Sequence, residues 1–234
     1  MTENKFIEEL KLIGIEINEE QLSQLNKYFE LLIEWNQKIN LTAITEKEQV
    51  YLKHFYDSLT LNKIVDLRNE NKLCDIGTGA GFPGVVLKVI FPNLKITLVD
   101  SLRKRIDFLN LVIKELNLKD IVAIHTRSEE FALTHREEFD IVTARAVAPL
   151  NILLEYSIPM VKKNKNFIAM KGNIEKEEST YDNAVKQLNI KVVEIKEFYL
   201  PTELSKRTLI KFEKLEITNK KYPRKFSDMK KKPL

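Results

Sequence analysis

The stretch that most constrains this chain runs from Leu73 to Gly84, L-C-D-I-G-T-G-A-G-F-P-G. It reads as a short buried strand, Leu73 to Ile76, ending in a glycine loop that opens a helix. Gly77, Gly79 and Gly81 alternate, so a ligand can lie against bare backbone and the chain can turn where other residues would be strained. The helix start that follows aims free N–H groups and a positive dipole end at whatever the loop holds. Asp100 lies 23 residues beyond Gly77 and closes the apolar run I-T-L-V at 96–99. An acid about 20 residues past the glycines, at the tip of the second strand, is placed to bind a ribose hydroxyl pair. These residues point to a nucleoside-cofactor site.

Gly79, Gly81 and Gly84 also fit G-x-G-x-x-G, the dinucleotide fingerprint. Asp75 argues against it. A pyrophosphate disfavours a carboxylate two residues before the first glycine, whereas the methionine ammonium of S-adenosyl-L-methionine is attracted to one. The expected cofactor is S-adenosyl-L-methionine, leaving as S-adenosyl-L-homocysteine.

Ahead of the loop, residues 3–17 and 19–39 read as helices, the second carrying Leu22, Leu25, Phe29, Leu32, Asn36 and Ile39 at helical steps. Tyr28, Leu31 and Trp35 form a second stripe. Further helical stretches are predicted over 46–52 and 54–66. From Leu73 onward, strands near 73–76, 95–99, 121–124, 139–144, 166–170, 190–198 and 208–213 alternate with helices over 83–91, 102–117, 149–162 and 174–188. Residues 125–135 read as irregular, with a helical turn at 128–132. The alternation predicts an α/β fold with a mostly parallel seven-stranded sheet, closed by an antiparallel hairpin whose loop holds Pro201. The expected organisation of 1–234 is a single unit: a helical part over 1–66, a core over 67–215 and a basic tail over 216–234.

Cys74 is the only cysteine, which excludes a disulfide framework or cysteine metal site and reads as a buried strand residue. The three histidines are too scattered to suggest a metal. No apolar run approaches the ~20 residues of a membrane span, and the first residues lack the order of a signal peptide. A cytoplasmic monomer with no metal and no membrane contact is expected. Of the net charge of +4, residues 219–234 alone contribute +6. So uneven a distribution suggests a polyanion gripped by a tail, or else a solvated lysine-rich end.

Ligands in such sheets bind beyond the carboxyl ends of the strands. Ser128 and Glu129 follow the third strand; Glu129 would accept from an adenine amino group or cap the next turn. Arg145 ends the fourth strand, suited to the methionine carboxylate or an RNA phosphate. Lys171, before Gly172, ends the fifth and would face the same cleft. Arg103, Lys104 and Arg105 open a helix, against the dipole, which suggests an anion partner or a solvated cluster. His54, Asp57 and Ser58 share a helix face, for packing or substrate contact, but one turn cannot supply a nucleophile–base–orienter set.

Taken together, W-N-Q-K-I-N-L-T-A-I-T at 35–45, H-F-Y-D-S-L at 54–59, C-D-I-G-T-G-A-G-F-P-G at 74–84, R-A-V-A-P-L at 145–150, M-K-G at 170–172 and K-Y-P-R at 221–224 give the chain a likeness along nearly its whole length. It resembles the glucose-inhibited division protein B family of bacterial small-subunit ribosomal RNA methyltransferases. The resemblance implies a class I S-adenosylmethionine-dependent, Rossmann-like fold. It also implies methyl transfer to N7 of one guanine of 16S rRNA, in the decoding-region hairpin of the small ribosomal subunit. By that likeness Gly77, Phe82, Ser128, Glu129 and Arg145 are cofactor contacts, joined to Asp75, Gly79 and Asp100 from the loop reading. RNA contacts are expected from Arg103, Arg105, Lys171, Lys221, Arg224 and Lys225. The family's tail continues after Y-P-R-K with a glycine-threonine-proline stretch, where this chain has F-S-D-M-K-K-K.

Guanine N7 carries a free lone pair, so no general base is expected; Arg145 and Lys171 are the candidates for a direct part in the reaction. A splayed-out target base would stack on an aromatic ring, with Phe82 and Tyr56 as candidates. Two other functions remain in view: a small-molecule methyltransferase, and a ribosome assembly factor with a vestigial cofactor site.

Overall fold

The computed structural model describes residues 1–69, 72–174, 180–203 and 205–234. The chain begins with α1 (Glu3–Leu12), capped by the Thr2 hydroxyl, which accepts from the Lys5 N–H. The helix expected to reach residue 17 stops at Leu12 because the Ile13 and Ile15 N–H groups both close back on the Leu10 carbonyl. α2 (Glu19–Ile39) fills the span predicted for it. It opens with a reciprocal capping box, in which Asn18 accepts from the Gln21 backbone and Gln21 accepts from the Asn18 backbone.

Next come α3 (Lys47–Val50), a wider π turn over Tyr51–Tyr56, α4 (Asp57–Leu59) and a 3-10 turn over Thr60–Lys63, in place of two regular helices. Tyr51, Leu52, His54, Phe55 and Tyr56 of the π turn are all buried. A π turn inside a helical stretch is a distortion frequent at functional sites.

The sheet region runs β1 (Lys72–Ile76), α5 (Gly84–Ile90), β2 (Lys95–Asp100), α6 (Arg103–Glu115), β3 (Ile121–His125), α7 (Ser128–Thr134), β4 (Phe139–Arg145), α8 (Leu150–Ser157), β5 (Val161–Lys171), α9 (Asp182–Gln187), β6 (Ile190–Tyr199) and β7 (Lys206–Lys214). A last short helix, α10 (Phe226–Lys231), lies in the tail. β5 begins five residues before its predicted start, which shortens the helix expected over 149–162. Residues 175–179 of the helix expected over 174–188 lie outside the described residues. Residues 128–134 form a full helix rather than a single turn.

Strand order is β3-β2-β1-β4-β5-β7-β6, with β1 to β5 parallel and β7 inserted antiparallel between β5 and β6. The expected α/β class with its closing hairpin is what forms. Order reverses between β1 and β4, so a cleft must open beyond Ile76 and Arg145. The pleat of β1 feeds two cores. Leu73 packs with Leu98, Val85 and Phe108 under α2, α5 and α6, while Cys74 and Ile76 pack with Val142, Leu153 and Phe167 under α8. Each large apolar side chain so hidden contributes about 1.5–3 kcal/mol. Among the described residues no helix is long and apolar enough to cross a membrane, and no cluster of three or more His, Cys, Asp or Glu is arranged to hold a metal.

Candidate functional site

The loop after β1 turns on glycines with positive φ, Gly77 at 64° and Gly81 at 102°. A Cβ on Gly77 would stand 2.8 Å from Val147, so the loop lies directly against the chain leaving β4. Asp75 is fully buried beneath this loop. Its Oδ2 accepts from the Thr78 hydroxyl at 2.6 Å and from the Gly84 N–H at 2.8 Å. Burial pushes its carboxyl up to about 6, although the Thr78 and Gly84 hydrogen bonds and the Arg145 charge pull the other way. The structure therefore corrects the expectation of an ammonium-facing carboxylate. The pleat turns Asp75 toward α5, where it ties loop to helix and lines neither half of the cleft.

Asp100 does line the cleft. Its Oδ1 accepts from the Leu102 N–H at 2.9 Å, and its Oδ2 from the Gly79 N–H at 3.0 Å and Arg105 Nη1 at 3.2 Å. Arg105 is thus drawn inward, to the cleft, rather than displayed on the outer face with Arg103, which pairs with Asp107.

Two adjoining hollows share Gly77, Arg105, Arg145 and Ala146. The first, 330 Å³, runs past Asp100 and Ser101 to Ser128, Glu129, Tyr156 and Phe226. The second, 440 Å³, is walled by the glycine loop, Phe82, Thr42, His54, Arg145, Lys171 and Arg207. Glu129 pairs with Arg127. Lys171 Nζ donates to the Ala148 carbonyl at 2.7 Å.

Arg145 is the hub of the second hollow. Its Nη1 donates to the Lys53 carbonyl at 2.9 Å and to Asp57 Oδ2 at 3.0 Å, and its Nη2 lies 3.2 Å from His54 Nδ1. Burial and the Arg145 charge push His54 down to about 3, so the ring is neutral. With Nδ1 facing a guanidinium, the proton sits on Nε2 and is donated to the Thr42 hydroxyl at 2.8 Å. Of the His54, Asp57 and Ser58 trio, the first two reach the site. The Ser58 hydroxyl instead donates to the His54 carbonyl one turn back.

The rings expected to receive a base do not offer themselves. Tyr56 is buried in the core. Phe82 is stacked under His54, ring centres 4.5 Å apart and nearly parallel, with Arg145 also over its ring. Arg224, expected on RNA, is committed inward: its Nε donates to Glu155 Oε1 at 2.7 Å, its Nη2 to Glu155 Oε2, and Glu155 is wholly buried. Lys221 and Lys225 remain exposed.

Three residues carry no motif that could have found them. Arg207 donates from Nε to Asp57 Oδ1 at 3.0 Å. It arrives because β7 pairs with β5 in a register that sets Thr208 opposite Lys171. The Tyr28 hydroxyl donates to the Ala80 carbonyl and pins the glycine loop to α2. Phe226 comes from the tail.

Comparison with known proteins bears on this arrangement. A family model described as rRNA small subunit methyltransferase G matches residues 21–207. Curated proteins named ribosomal RNA small subunit methyltransferase G are similar end to end. The protein from Macrococcus caseolyticus is 50% identical over 238 residues, covering 100% of this chain and 99% of its own. That from Oceanobacillus iheyensis is 50% identical over 237 residues, covering 100% of both. Among solved structures, TYW2 of M. jannaschii in complex with AdoMet aligns with a TM-score of 0.53 at 16% identity, over 64% of this chain and 72% of that one. A mutant of MtNAS in complex with S-adenosylmethionine aligns with a TM-score of 0.57 at 16% identity, over 84% and 76%. At that identity the solved structures speak for the fold alone.

Proposed function

The chain belongs to the rRNA small subunit methyltransferase G family, and from that membership we propose that it transfers a methyl group from S-adenosyl-L-methionine to N7 of one guanine of 16S rRNA, in the decoding-region hairpin. It would act as a cytoplasmic monomer in which 1–66, 67–215 and 216–234 work as one unit. The observation that carries the proposal is the pair of hollows meeting at Gly77 and Arg145, one suited to a nucleoside and the other open to a second, larger reactant.

The residues present fit the cofactor. Gly77, packed on one side against Val147, lines both hollows at their junction with no side chain of its own. Asp100 offers a buried acceptor for ribose hydroxyls, and Ser128 and Glu129 lie at the far end, where an adenine would reach. Arg105 and Arg145 supply positive charge for an amino-acid carboxylate, while Gly79 and Phe82 wall the near side. Asp75 serves this set by holding the loop, not by contact. S-Adenosyl-L-methionine, when bound, supplies an electrophilic methyl group on a sulfonium.

The acceptor needs no base, because the N7 lone pair is free. What the chain contributes is alignment and exclusion of water. His54, neutral and locked between Thr42 and Arg145, holds Phe82 flat at the mouth of the loop. Lys171, Arg207 and Arg145 line the acceptor hollow with cations suited to the phosphates flanking a splayed-out base. Arg103, Lys221 and Lys225, exposed on the surface, are the outer RNA contacts in this proposal.

The test is methyl transfer from labelled S-adenosyl-L-methionine to small subunits lacking the modification, followed by strand cleavage at N7-methylguanine. One strong cleavage in the decoding-region hairpin is expected. Transfer to small molecules without RNA, or tight cofactor binding with no transfer to the subunit, would overturn the assignment.

A further inference from the structure

The last 16 residues carry a net charge of +6, yet their backbone is not laid out as a free arm. Arg136 donates to the carbonyls of Thr218 and Tyr222 at 2.6 Å each, fixing the start of the segment. Tyr222 and Met229 are buried against the α8 side of the sheet. Between them the Arg224 guanidinium makes a two-pronged contact with the buried Glu155, and Arg224 Nη2 also donates to the Lys232 carbonyl at 3.0 Å. This clamp delivers one aromatic side chain to the nucleoside hollow. Phe226, half-buried, lines it beside Arg127, Ser128, Glu129 and Tyr156, and the Arg127 guanidinium lies 5.0 Å from its ring centre.

We propose that Phe226 is the aromatic wall of the adenine subsite, so that the C-terminal tail is a structural part of the cofactor site. This rests on the cofactor assignment above and deepens it. An aromatic ring is the wall a purine prefers, since both carry extended apolar faces. The tail's anchoring pair explains its placement: buried Glu155 has a fixed, charged partner only when residues 224–232 lie folded on α8. The exposed lysines of the tail are then carried on a platform whose inner side is committed to the nucleoside.

The test uses the full chain and two ligands, S-adenosyl-L-homocysteine and 5′-deoxy-5′-methylthioadenosine, which lacks the amino-acid arm. Calorimetry on Phe226→Ala should show both weakened by a similar factor, between about 5-fold and 100-fold, as for removal of an aromatic partner from a base. Phe226→Trp should bind both within about 3-fold of the parent, a range of under 1 kcal/mol. Its added indole emission should change on binding, with the parent, whose only tryptophan is Trp35, as the blank. Unchanged affinity of Phe226→Ala for either ligand, or no indole response, overturns the proposal. Failure of the parent chain to bind S-adenosyl-L-homocysteine at all overturns the cofactor assignment itself, and the proposal with it.

Discussion

Asp57 is the residue whose removal tests the construction of the acceptor hollow most directly. Its side chain is 7% exposed and accepts from Arg145 Nη1 and Arg207 Nε, both at 3.0 Å. Replacing it by alanine leaves two guanidinium groups facing each other with no anion between them. Breaking a buried ion pair by removing one partner costs about 3–5 kcal/mol. Here the guanidinium side chains are 16% and 20% exposed, and each keeps other acceptors, the Lys53 carbonyl for Arg145 and Ser205 Oγ for Arg207. Water and these partners absorb part of the penalty, which places the expected loss near the lower end, about 3 kcal/mol. Urea unfolding followed through Trp35, which packs on Phe108 at 5.7 Å, reports it as a lower midpoint with an unchanged slope. In a double-mutant cycle, Asp57→Ala combined with Arg207→Met should recover about 1–2 kcal/mol, because one stranded charge is gone. A single-mutant loss below about 1 kcal/mol would mean a solvated pair and refute the reasoning.

Four further outcomes are expected. His54, held at about 3 against a usual 6.5, contributes stability that is present above pH 6.5 and lost as pH falls toward 3, about 5 kcal/mol at most. Asp75, raised to about 6 from 3.8, acts with opposite sign: its contribution is present below pH 3.8 and lost between there and pH 6, about 3 kcal/mol. Urea midpoints against pH should therefore show His54→Gln less acid-sensitive and Asp75→Asn relatively more stable at neutral pH than at pH 4, and curves parallel to the parent would refute both. Asp100→Ala should weaken S-adenosyl-L-methionine binding by about 1–3 kcal/mol in calorimetry through lost ribose hydrogen bonds, and equal affinity would remove it from the site. Changing exposed Arg103, Lys221 and Lys225 to glutamine should flatten the logarithmic salt dependence of RNA binding by about 2, whereas an identical slope would show them merely solvated.

The parts of this molecule legible in the sequence are those in which cause and consequence lie close together along the chain. The glycine loop, the acid ending β2 and the strand–helix alternation are local signals, and each sits where the pattern put it. Asp75 shows where locality fails. The sequence places it at a strand end near a ligand, but which face of β1 it points to depends on which helices cover that face, and Leu73 and Asp75 turn toward α5. Arg224 fails differently. Counted as charge it belongs to a basic tail, and only the fold brings it to Glu155, a lone acid in the apolar helix α8. Arg207 and Phe226 enter the clefts through a strand insertion and a returning tail, neither of which leaves a spacing to read.

The helical residues before β1 have a role that periodicity alone does not suggest. Tyr28 holds the glycine loop by the Ala80 carbonyl, His54 covers Phe82, and the Lys53 carbonyl with Asp57 holds Arg145 at the end of β4. These three ties reach both sides of the switch point, so the helical segment sets the distance between the loop that would cradle the cofactor and the wall that would face the acceptor. Methyl transfer without a general base depends almost wholly on that distance and on dryness. In the proposed reaction the segment over Tyr51–Leu59 would therefore matter as much as the glycine loop, since it brings His54 and Asp57 to Arg145 while Phe55 and Tyr56 pack in the core.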